Sequence, residues 1–422
     1  MPSPLAGGTP AIPSMRIAII SGRFQLGRSY QENIWAEQLA ERGHAVLVLA
    51  AASGKESRQP AAAAGGGAYE VRTLRALSLP RSVLLSRGAG RAMEEFRPDL
   101  IVWVAVGHHF GKEFLRSESL RQVPVVTTWS EHFGMHEYDW RKRGISLGQR
   151  IWAAGYWALR RGVIMAACRR STIIIGNTPH ARAIVTLPFG PRERRDIDAK
   201  TVDLPLGFDP RCFAFDPALR GRIRAELGLQ ECDLAVCASS RFDPDKVPFL
   251  TTIIEALRRV MDKDRRVRGL LVGFTDSPTS RNIRRLVAEG PMAERFTLIP
   301  YADRRRLNEL YNASDVAVFG RASISCQESL GTGLVACFSD EGSMNHLVKD
   351  PAAAVFFRRD SAADLERALD AAIGILDRHA GPGLPAFRAR LAQASRWLGY
   401  DQIISRALQL LVERGALPES AS

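Results

Sequence analysis

The chain has 422 residues, of which 46% are hydrophobic and 24% charged, and its formal net charge is +13. This balance is typical of a globular protein, and the length predicts two or three domains, each with a full hydrophobic core. The six cysteines are scattered without a Cys-x-x-Cys pair, so neither a zinc site nor a disulfide framework is indicated. The basic excess favours an anionic partner, which could be a nucleotide, a nucleic acid or a lipid surface.

The start of the chain, residues 1–14, predicts a flexible leader, because it lacks the basic start and the long apolar stretch of a secretory signal. Arginines interrupt every apolar stretch before it reaches the length of a spanning helix, including the stretch 151–165. Together with the scattered cysteines, this pattern favours a cytoplasmic protein.

The first half of the chain predicts a parallel sheet. The apolar run Arg16–Ser21 indicates a strand, Tyr30–Arg42 has helical spacing, and Ala45–Ala50 indicates a second buried strand. Further strands are predicted at Leu100–Ala105, Val123–Thr128 and Ser171–Gly176. The stretch Ala52–Gly67 has low complexity and predicts a solvent loop. Residues 15–205 are therefore expected to form a Rossmann-like domain.

A second series of short strands predicts another Rossmann-like domain over residues 206–390. The predicted strands are Leu234–Ala238, Gly269–Gly273, Phe296–Ile299, Val316–Phe319 and Leu334–Phe338. The polar segment Pro191–Lys200 places the boundary shortly after it, and Trp397–Arg414 predicts a final amphipathic helix. The expected fold class is α/β, with two Rossmann-like domains that face each other across a cleft, where ligands bind beyond the strand ends.

Two cations follow the first strand of the second domain. Arg241 and Lys246 lie between that strand and an apolar-periodic helix. A cation pair beside a helix N-terminus suits a diphosphate, because Arg forms forked hydrogen bonds and Lys supplies a compact charge. The alternative is a pair of surface cations on a loop of an arginine-rich protein.

A carboxylate, Glu328, follows the loop after the strand Val316–Phe319. A carboxylate at this place can accept two hydroxyl groups, as from a ribose. The alternative is a capping box, because Ser325-x-x-Glu328 has the spacing in which the glutamate only satisfies the start of its own helix.

Over almost the whole chain, these residues resemble the retaining, two-Rossmann GT-B glycosyltransferases, close to glycosyltransferase family 4. The resemblance depends on the order and spacing of several segments between residues 15 and 350. These are Tyr30–Asn33 with Leu39–Val46 (first helix and "RGHxV" turn), Leu204–Asp209 with Phe213 ("PxGxDxxxF"), Ser240–Lys246 ("GR…K"), Leu271–Gly273 ("VG"), Leu310–Asp315 ("LYxxaDv") and Glu328–Gly333 ("EAmacG").

The resemblance implies that the second domain binds a nucleotide-sugar donor. Ser240, Arg241 and Lys246 would contact the diphosphate, and Arg241 and Lys246 would also act in catalysis by stabilising it as it leaves. Glu328 would bind the ribose. The other donor-binding residues that the resemblance implies are Gly273 at a strand end, Tyr301 and Ala302 near the base, and Ser323, Ile324 and Ser325 in the loop before Glu328.

In the first domain, the resemblance implies that Gly22 and Gly27 lie in a glycine-containing turn near the donor or acceptor. It also implies that His132 is a functional histidine near the donor sugar, with His108 and His109 as the second choice. No metal and no cofactor are expected, since the cations take a metal's place. As in the family, the segment 391–422 would return to the first domain.

The expected activity is transfer of a sugar from a nucleotide-diphosphate-sugar donor to an acceptor hydroxyl, with retention of anomeric configuration and without metal. One departure opens an alternative. The family commonly has a second glutamate eight residues before Glu328, where this chain has Gly320 in a shortened loop. A catalytically degenerate homologue that binds nucleotide sugar or a partner is therefore a second hypothesis. A nucleotide-sugar epimerase or phosphorylase on the same fold is a third.

Residues 141–170 contain eight Arg or Lys and no acidic residue, with two tryptophans and a tyrosine among them. Such a basic, aromatic segment suits an anionic membrane surface, so the protein could be peripheral on the inner face of the membrane and use a lipid-linked acceptor. The alternative is a helix that packs its aromatic face on the domain, with a small-molecule acceptor. Nucleic acid is disfavoured because no nucleic-acid-binding motif is present.

Overall fold

The computed structural model describes residues 13–26, 30–52, 57–63, 66–79, 83–104, 109–129, 146–340 and 344–418. The chain divides into two compact units. The first contains Met1–Pro205 and Tyr400–Ser422, and the second contains Leu206–Gly399. Each unit is built on one sheet whose central strands are parallel.

The first unit has helices packed on its sheet. Its strands are β1 Arg16–Ser21, β2 Ala45–Ala52, β3 Ser57–Ala62, β4 Ala68–Leu79, β5 Val83–Ser86, β6 Leu100–Val104, β7 Val125–Trp129, β8 Ile173–Gly176 and β9 Thr201–Asp203. Its helices before the boundary are α1 Gln31–Glu41, α2 Ala89–Phe96, α3 Leu147–Arg170, α4 Pro179–Thr186 and α5 Pro191–Lys200. The strand β6 is buried from end to end, which explains its continuous apolar run.

The strands of the first sheet lie in the order β3-β4-β2-β1-β6-β7-β8-β9, with β5 beside β4. The pairs from β4 to β9 are parallel, and β3 and β5 run antiparallel to β4. The solvent loop predicted for Ala52–Gly67 is therefore wrong in part, because β3 lies within it. An edge strand is held mainly by backbone hydrogen bonds to its neighbour. A low-complexity sequence has the same backbone groups and can therefore form such a strand.

The second unit repeats the architecture with a simpler sheet. Its strands are β10 Leu234–Ser239, β11 Val267–Phe274, β12 Phe296–Pro300, β13 Val316–Phe319, β14 Val335–Ser339 and β15 Ala354–Phe357. Its helices are α6 Pro217–Glu226, α7 Val247–Lys263, α8 Pro278–Ala288, α9 Arg304–Ala313, α10 Ile324–Gly331, α11 Ala362–Asp377 and α12 Gly383–Ala394. The strands lie in the order β12-β11-β10-β13-β14-β15, all neighbours parallel, which is the 3-2-1-4-5-6 order of a Rossmann domain.

The last helix, α13 (Tyr400–Glu413), packs on α1 in the first unit, where its apolar side chains share a buried core with Ile34 and Trp35. The segment expected to return to that unit was 391–422, but the structure places the change of unit at Tyr400. Leu391 and Leu398 are buried in the core of the second unit, so the residues before Tyr400 remain with it.

The polar segment Pro191–Lys200, which indicated a domain boundary shortly after it, is the helix α5. Pro191 stands at the first helical position, where its missing N–H is not needed, and Ile197 is buried. Ile197 packs this mostly polar helix on the core of the first unit, and ion pairs such as Arg169 with Glu193 add to its contacts.

One buried cation anchors the ends of α9 and α10. The guanidinium of Arg388, on α12, donates hydrogen bonds to the backbone carbonyls of Tyr311, Asn312, Ser314 and Thr332 at 2.8–3.1 Å. Burial lowers the pKa of Arg388 to about 9. The last carbonyls of a helix lack partners within the helix, so this side chain satisfies both helix ends at once.

Candidate functional site

The reversal of strand order in the second unit brings two loops together. β10 and β13 are parallel neighbours, and the chain proceeds from β10 to β11 on one side and from β13 to β14 on the other. Open α/β sheets bind ligands in the crevice beyond the strand ends at such a switch point. The loop after β10, residues 240–246, and the loop after β13, residues 320–323, both leave at this point. Most of the predicted donor-binding residues lie on these two loops or directly after them.

Gly273 allows the loop after β10 to lie against the end of β11. Its φ is +123°, and a Cβ atom built on it would lie 1.8 Å from the carbonyl oxygen of Ser240. The N–H of Ser240 donates to the carbonyl of Val272 at 3.0 Å, which continues the ladder of the sheet into the loop. Backbone contact therefore requires a glycine at this position.

The two cations lie on this loop. Their backbone is fixed by Phe242, whose buried ring meets the edge of the Phe274 ring at a centroid distance of 4.4 Å. The side chain of Arg241 is 73% exposed, with its Nε 3.9 Å from Asp243. Lys246 is partly buried in the turn that leads directly into α7. An anchored loop with two cations next to a helix N-terminus suits an anion such as a diphosphate.

The helix α10 begins at Ile324, and Ser323 is its N-cap, with its hydroxyl accepting the N–H of Cys326 at 3.4 Å. The capping box considered for Ser325 and Glu328 is therefore wrong, because the helix starts two residues earlier than that box requires. Glu328 has no capping role and lies in the second turn of the helix.

Glu328 is a buried carboxylate, with 4% of its surface exposed. Burial raises its pKa to about 7, although the guanidinium of Arg304 and a hydrogen bond from the Ser325 hydroxyl act in the opposite direction. A carboxylate can accept about four hydrogen bonds. Within the described residues, Glu328 therefore keeps capacity for further hydroxyl donors, such as the two neighbouring hydroxyls of a ribose.

Beside Glu328, a second buried carboxylate is fully paired. Asp209 accepts hydrogen bonds from the guanidinium groups of Arg211 and Arg304, each at 3.1 Å. Although burial acts to raise it, these partners, Arg211 first, hold the pKa of Asp209 below its usual value. Asp209 is thus charge-balanced, and Arg304 is fixed where its charge favours the ionised form of Glu328.

An aromatic ring fills the space beside Gly320, the position at which the resemblance implies a glutamate. A Cβ atom built on Gly320 would lie 2.8 Å from the ring of Phe249, in the first turn of α7. The Phe249 ring stacks on Phe357 at a centroid distance of 6.3 Å and an interplanar angle of 7°. A side chain at position 320 would have to displace this ring.

Tyr301 and Ala302 follow β12, at the same edge of the sheet. The N–H of Tyr301 donates to the carbonyl of Phe274 at 3.0 Å, and its side chain is 54% exposed. Ala302 packs on the core of the unit. The structure therefore presents an exposed aromatic ring at this end of the strand, on which a planar group such as a nucleobase could stack.

In the first unit, Gly22 follows β1, and a Cβ atom built on it would lie 2.7 Å from the side chain of Leu84 and 3.1 Å from that of Phe110. Close packing against protein side chains explains this glycine. His109 is a satisfied loop residue: its Nε2 donates to the carbonyl of Leu159 at 2.7 Å, and its Nδ1 lies 3.3 Å from Lys112 Nζ. The predicted residues Gly27, His108 and His132 lie outside the described residues.

A buried polar cluster near the N-terminus of α1 was not predicted from the sequence. Glu32 accepts a hydrogen bond from the hydroxyl of Ser21 at 2.9 Å, and burial raises its pKa. Beside it, the side chains of Gln31 and Asn177 exchange hydrogen bonds at 3.2 and 3.5 Å. Gln31 and Asn177 are 146 residues apart, so no local pattern signals their contact. The one sequence signal is that three polar residues, Gln31–Asn33, stand together at the start of this helix; the sequence does not show that they are buried.

The helix α3 has one face that packs on the domain and one apolar face that is exposed, so each of the two alternatives from the sequence is met in part. Ala153, Trp157 and Ile164 are buried, so part of the aromatic content packs on the domain. The apolar side chains of the opposite side are exposed and form what we call the α3 apolar surface, with Leu147 74%, Ile151 60%, Trp152 36% and Leu159 47% exposed.

Across the ranges that the structure describes, no helix is long and apolar enough to cross a membrane. In the same ranges, no group of three or more His, Cys, Asp or Glu side chains is arranged to hold a metal ion.

Two family models match the chain in series. The model described as "Glycosyltransferase Family 4" matches residues 35–197, and the model "Glycosyl transferases group 1" matches residues 220–375. Each match falls within one of the two structural units.

Similar proteins agree with these models. A D-inositol 3-phosphate glycosyltransferase of Nocardia farcinica is 33% identical over 229 residues, which is 50% of this chain and 47% of that protein. The chain thus spans about half the length of this curated relative. Sucrose-phosphate synthase from Thermosynechococcus elongatus (TM-score 0.64, 19% identity, 95% of this chain and 99% of that chain) and HepE of Anabaena with UDP and glucose (0.62, 14%, 94% and 99%) share the fold.

The close approach at Gly273 gives the first testable prediction. Gly273→Ala should lower the free energy of unfolding by about 3 kcal/mol, because it forces a backbone clash at a positive φ. Gly221→Ala on α6, where no atom lies within 4 Å of the built Cβ, should leave stability unchanged or raise it by up to about 1 kcal/mol. Urea unfolding of both variants measures this, and equal stability of the two would contradict the contact.

Proposed function

We propose that the chain, which has the GT-B fold and resembles glycosyltransferase family 4, transfers a sugar from a nucleotide-diphosphate-sugar donor to an acceptor hydroxyl with retention of configuration. The observation that carries this proposal is Glu328, a buried carboxylate with unused acceptor capacity. It lies on the helix that follows β13, next to the loop that bears Arg241 and Lys246. A ribose and a diphosphate are linked groups of one ligand, and these two elements present partners for both.

In the proposed reaction, the bond between the anomeric carbon and the diphosphate oxygen breaks, and a bond from the acceptor oxygen to the same carbon forms. The electron pair of the broken bond stays on the diphosphate, which takes the proton of the acceptor hydroxyl. Arg241, Lys246 and the helix N-termini stabilise the charge that develops on the leaving diphosphate. The resemblance alone supports the proposal that His132 and Gly27 also lie near the donor.

We propose that the reaction needs no divalent metal. Two cations on the loop after β10 can neutralise most of the charge of a diphosphate, which is the part that a metal plays in other phosphate sites. Activity that is unchanged by a chelator would support this, and activity restored by Mg²⁺ or Mn²⁺ after chelation would contradict it.

Gly320 supports a second candidate function, a degenerate homologue that binds nucleotide sugar without turnover. The Phe249 ring occupies the space where a side chain at position 320 would lie. Binding of a donor with no product across a broad acceptor panel would select this candidate. Release of free epimerised sugar or of a sugar phosphate without acceptor would select an epimerase or phosphorylase instead.

For the acceptor, we propose a hydroxyl-rich molecule bound by the first unit. The cluster of Ser21, Gln31, Glu32 and Asn177 offers buried hydroxyl, amide and carboxylate groups at the carboxyl ends of its strands. The curated relatives are described as acting on D-inositol 3-phosphate, so inositol phosphates belong in the first acceptor panel.

The donor site is tested by nucleotide binding. Calorimetric titration with UDP, GDP, ADP and TDP should show selective binding of one nucleotide by the wild type. Lys246→Ala should weaken that binding by about tenfold or more, because one charge-assisted hydrogen bond to phosphate contributes about 1.5–3 kcal/mol. Lys263→Ala, at the other end of α7, is the matched control and should bind as the wild type does. Equal affinities of all three proteins would refute the assignment.

We further propose that the α3 apolar surface contacts an anionic membrane. Leu147 and Ile151 are exposed beside Arg150 and Arg161, and the segment 141–170 has no acidic residue. Apolar side chains flanked by arginines suit the boundary between headgroups and acyl chains. This placement would bring a lipid-linked acceptor to the first unit.

Vesicle sedimentation tests the membrane contact. The wild type should bind vesicles that contain phosphatidylglycerol at low salt, and high salt should release it. Ile151→Glu should weaken binding about tenfold, because it removes an apolar group and adds an unfavourable charge. Leu77→Glu on β4, where Leu77 is similarly exposed at 61%, is the control and should bind as the wild type does. Equal binding to pure phosphatidylcholine would contradict the electrostatic part.

A further inference from the structure

A buried tyrosine connects the two loops of the switch point. Tyr311, on α9, is fully buried, and its hydroxyl lies 2.6 Å from the hydroxyl oxygen of Ser239 and 3.4 Å from the carbonyl oxygen of Ser325. Ser239 is the last residue of β10, and Ser325 lies in the first turn of α10. One hydroxyl group therefore contacts both elements that carry the candidate site.

The two contacts differ in length. The short one is a hydrogen bond between the Tyr311 and Ser239 hydroxyls, in which either group can donate, and in the longer one the Tyr311 hydroxyl donates to the Ser325 carbonyl, which can only accept. Burial raises the pKa of Tyr311 well above its usual value, which keeps the phenol protonated and able to donate. A buried hydroxyl costs free energy unless it is hydrogen-bonded, so both contacts are needed to compensate for its burial.

Tyr311 is held both at its backbone and at its ring. Its backbone carbonyl accepts a hydrogen bond from Arg388 at 3.1 Å, and its ring packs at 6.3 Å from that of Phe213. The same guanidinium binds the carbonyl of Thr332, directly after α10, at 3.0 Å. The backbone of Tyr311 and the end of α10 are thus anchored to one buried guanidinium group.

We propose that Tyr311 is a positioning residue for donor binding, which holds the end of β10 and the first turn of α10 at one fixed spacing. The cations after β10 and Glu328 on α10 can then contact the diphosphate and the ribose of the same donor without a rearrangement of the loops. Pre-organisation of this kind raises affinity because less ordering is needed on binding. This inference rests on the proposed function and assigns a role to a residue that touches neither donor nor acceptor.

The test is Tyr311→Phe, which removes the hydroxyl alone. Its affinity for the nucleoside diphosphate that the wild type binds, out of UDP, GDP, ADP and TDP, should fall about tenfold. In turnover, the KM for the donor should rise and the KM for the acceptor should stay unchanged. Tyr400→Phe, at a fully buried tyrosine of the first unit, is the matched control and should keep the wild-type affinity. Melting temperatures of both variants separate loss of stability from loss of spacing.

A double-mutant cycle with Ser239→Ala adds a readout that a purely structural role would not move. If the two hydroxyls act as one connection, Ser239→Ala should weaken nucleotide binding, and the double variant should bind no more weakly than Tyr311→Phe alone. Independent, additive losses of affinity would overturn the proposal.

The outcomes also separate this inference from the donor-site assignment. If the wild type binds a nucleotide, Lys246→Ala loses it and Tyr311→Phe keeps it, the positioning role is wrong and the donor site stands. If Lys246→Ala binds as the wild type does, the donor site itself is wrong, and the positioning role is overturned with it.

Discussion

The constraint on which the candidate site depends is the reversal of strand order between β10 and β13. Parallel strands release their chains at the same edge, and the crossovers from these two neighbours cover opposite sides of the sheet. The edge is therefore left open at one place. On one side of it the loop after β10 carries Arg241 and Lys246, and on the other side the helix α10 carries Glu328. Gly273 lets one loop pass close to the backbone, and the Tyr311 hydroxyl connects that loop's strand to α10.

Burial of charge is the second organising feature of this unit. Asp209 and Arg388 are both buried. Asp209 accepts hydrogen bonds from two guanidinium groups and Arg388 donates to four carbonyls, which offsets much of the cost of burying these charges. Glu328 is buried as well, and the Ser325 hydroxyl and the charge of Arg304 compensate its burial only in part, since its pKa remains raised to about 7. A partly satisfied buried carboxylate costs stability, and a ligand with two hydroxyls removes that cost. This difference from Asp209 is the reason why we propose Glu328, and not Asp209, as a donor-binding group.

The fold class and the placement of the cations on a loop follow from local sequence pattern. A parallel strand with a buried centre, such as β10, is a short apolar run, and the polar residues after it mark the start of the loop. Other features depend on contacts between distant residues. The capping alternative for Glu328 failed because two serines had suitable spacing and only packing selects Ser323 as the N-cap. The change of unit at Tyr400 rather than 391 depends on which core receives Leu398. The contact between the Phe249 ring and Gly320 likewise cannot be predicted from sequence, since 71 residues separate the two positions.

The most direct test of the account is donor affinity as a function of pH, for the wild type and for Glu328→Gln. A nucleotide-diphosphate sugar is the right probe, because its esterified phosphates lack the second ionisation that a free phosphate has near pH 6. The pKa of Glu328 is raised to about 7, so its carboxylate gains a proton as the pH falls through that value and then accepts fewer hydroxyls. We expect wild-type affinity to fall several-fold between pH 8 and about 6, and Glu328→Gln to bind weakly and without this dependence. Identical pH profiles for the two proteins would contradict the assignment of Glu328 to the ribose and, with it, the proposed donor site.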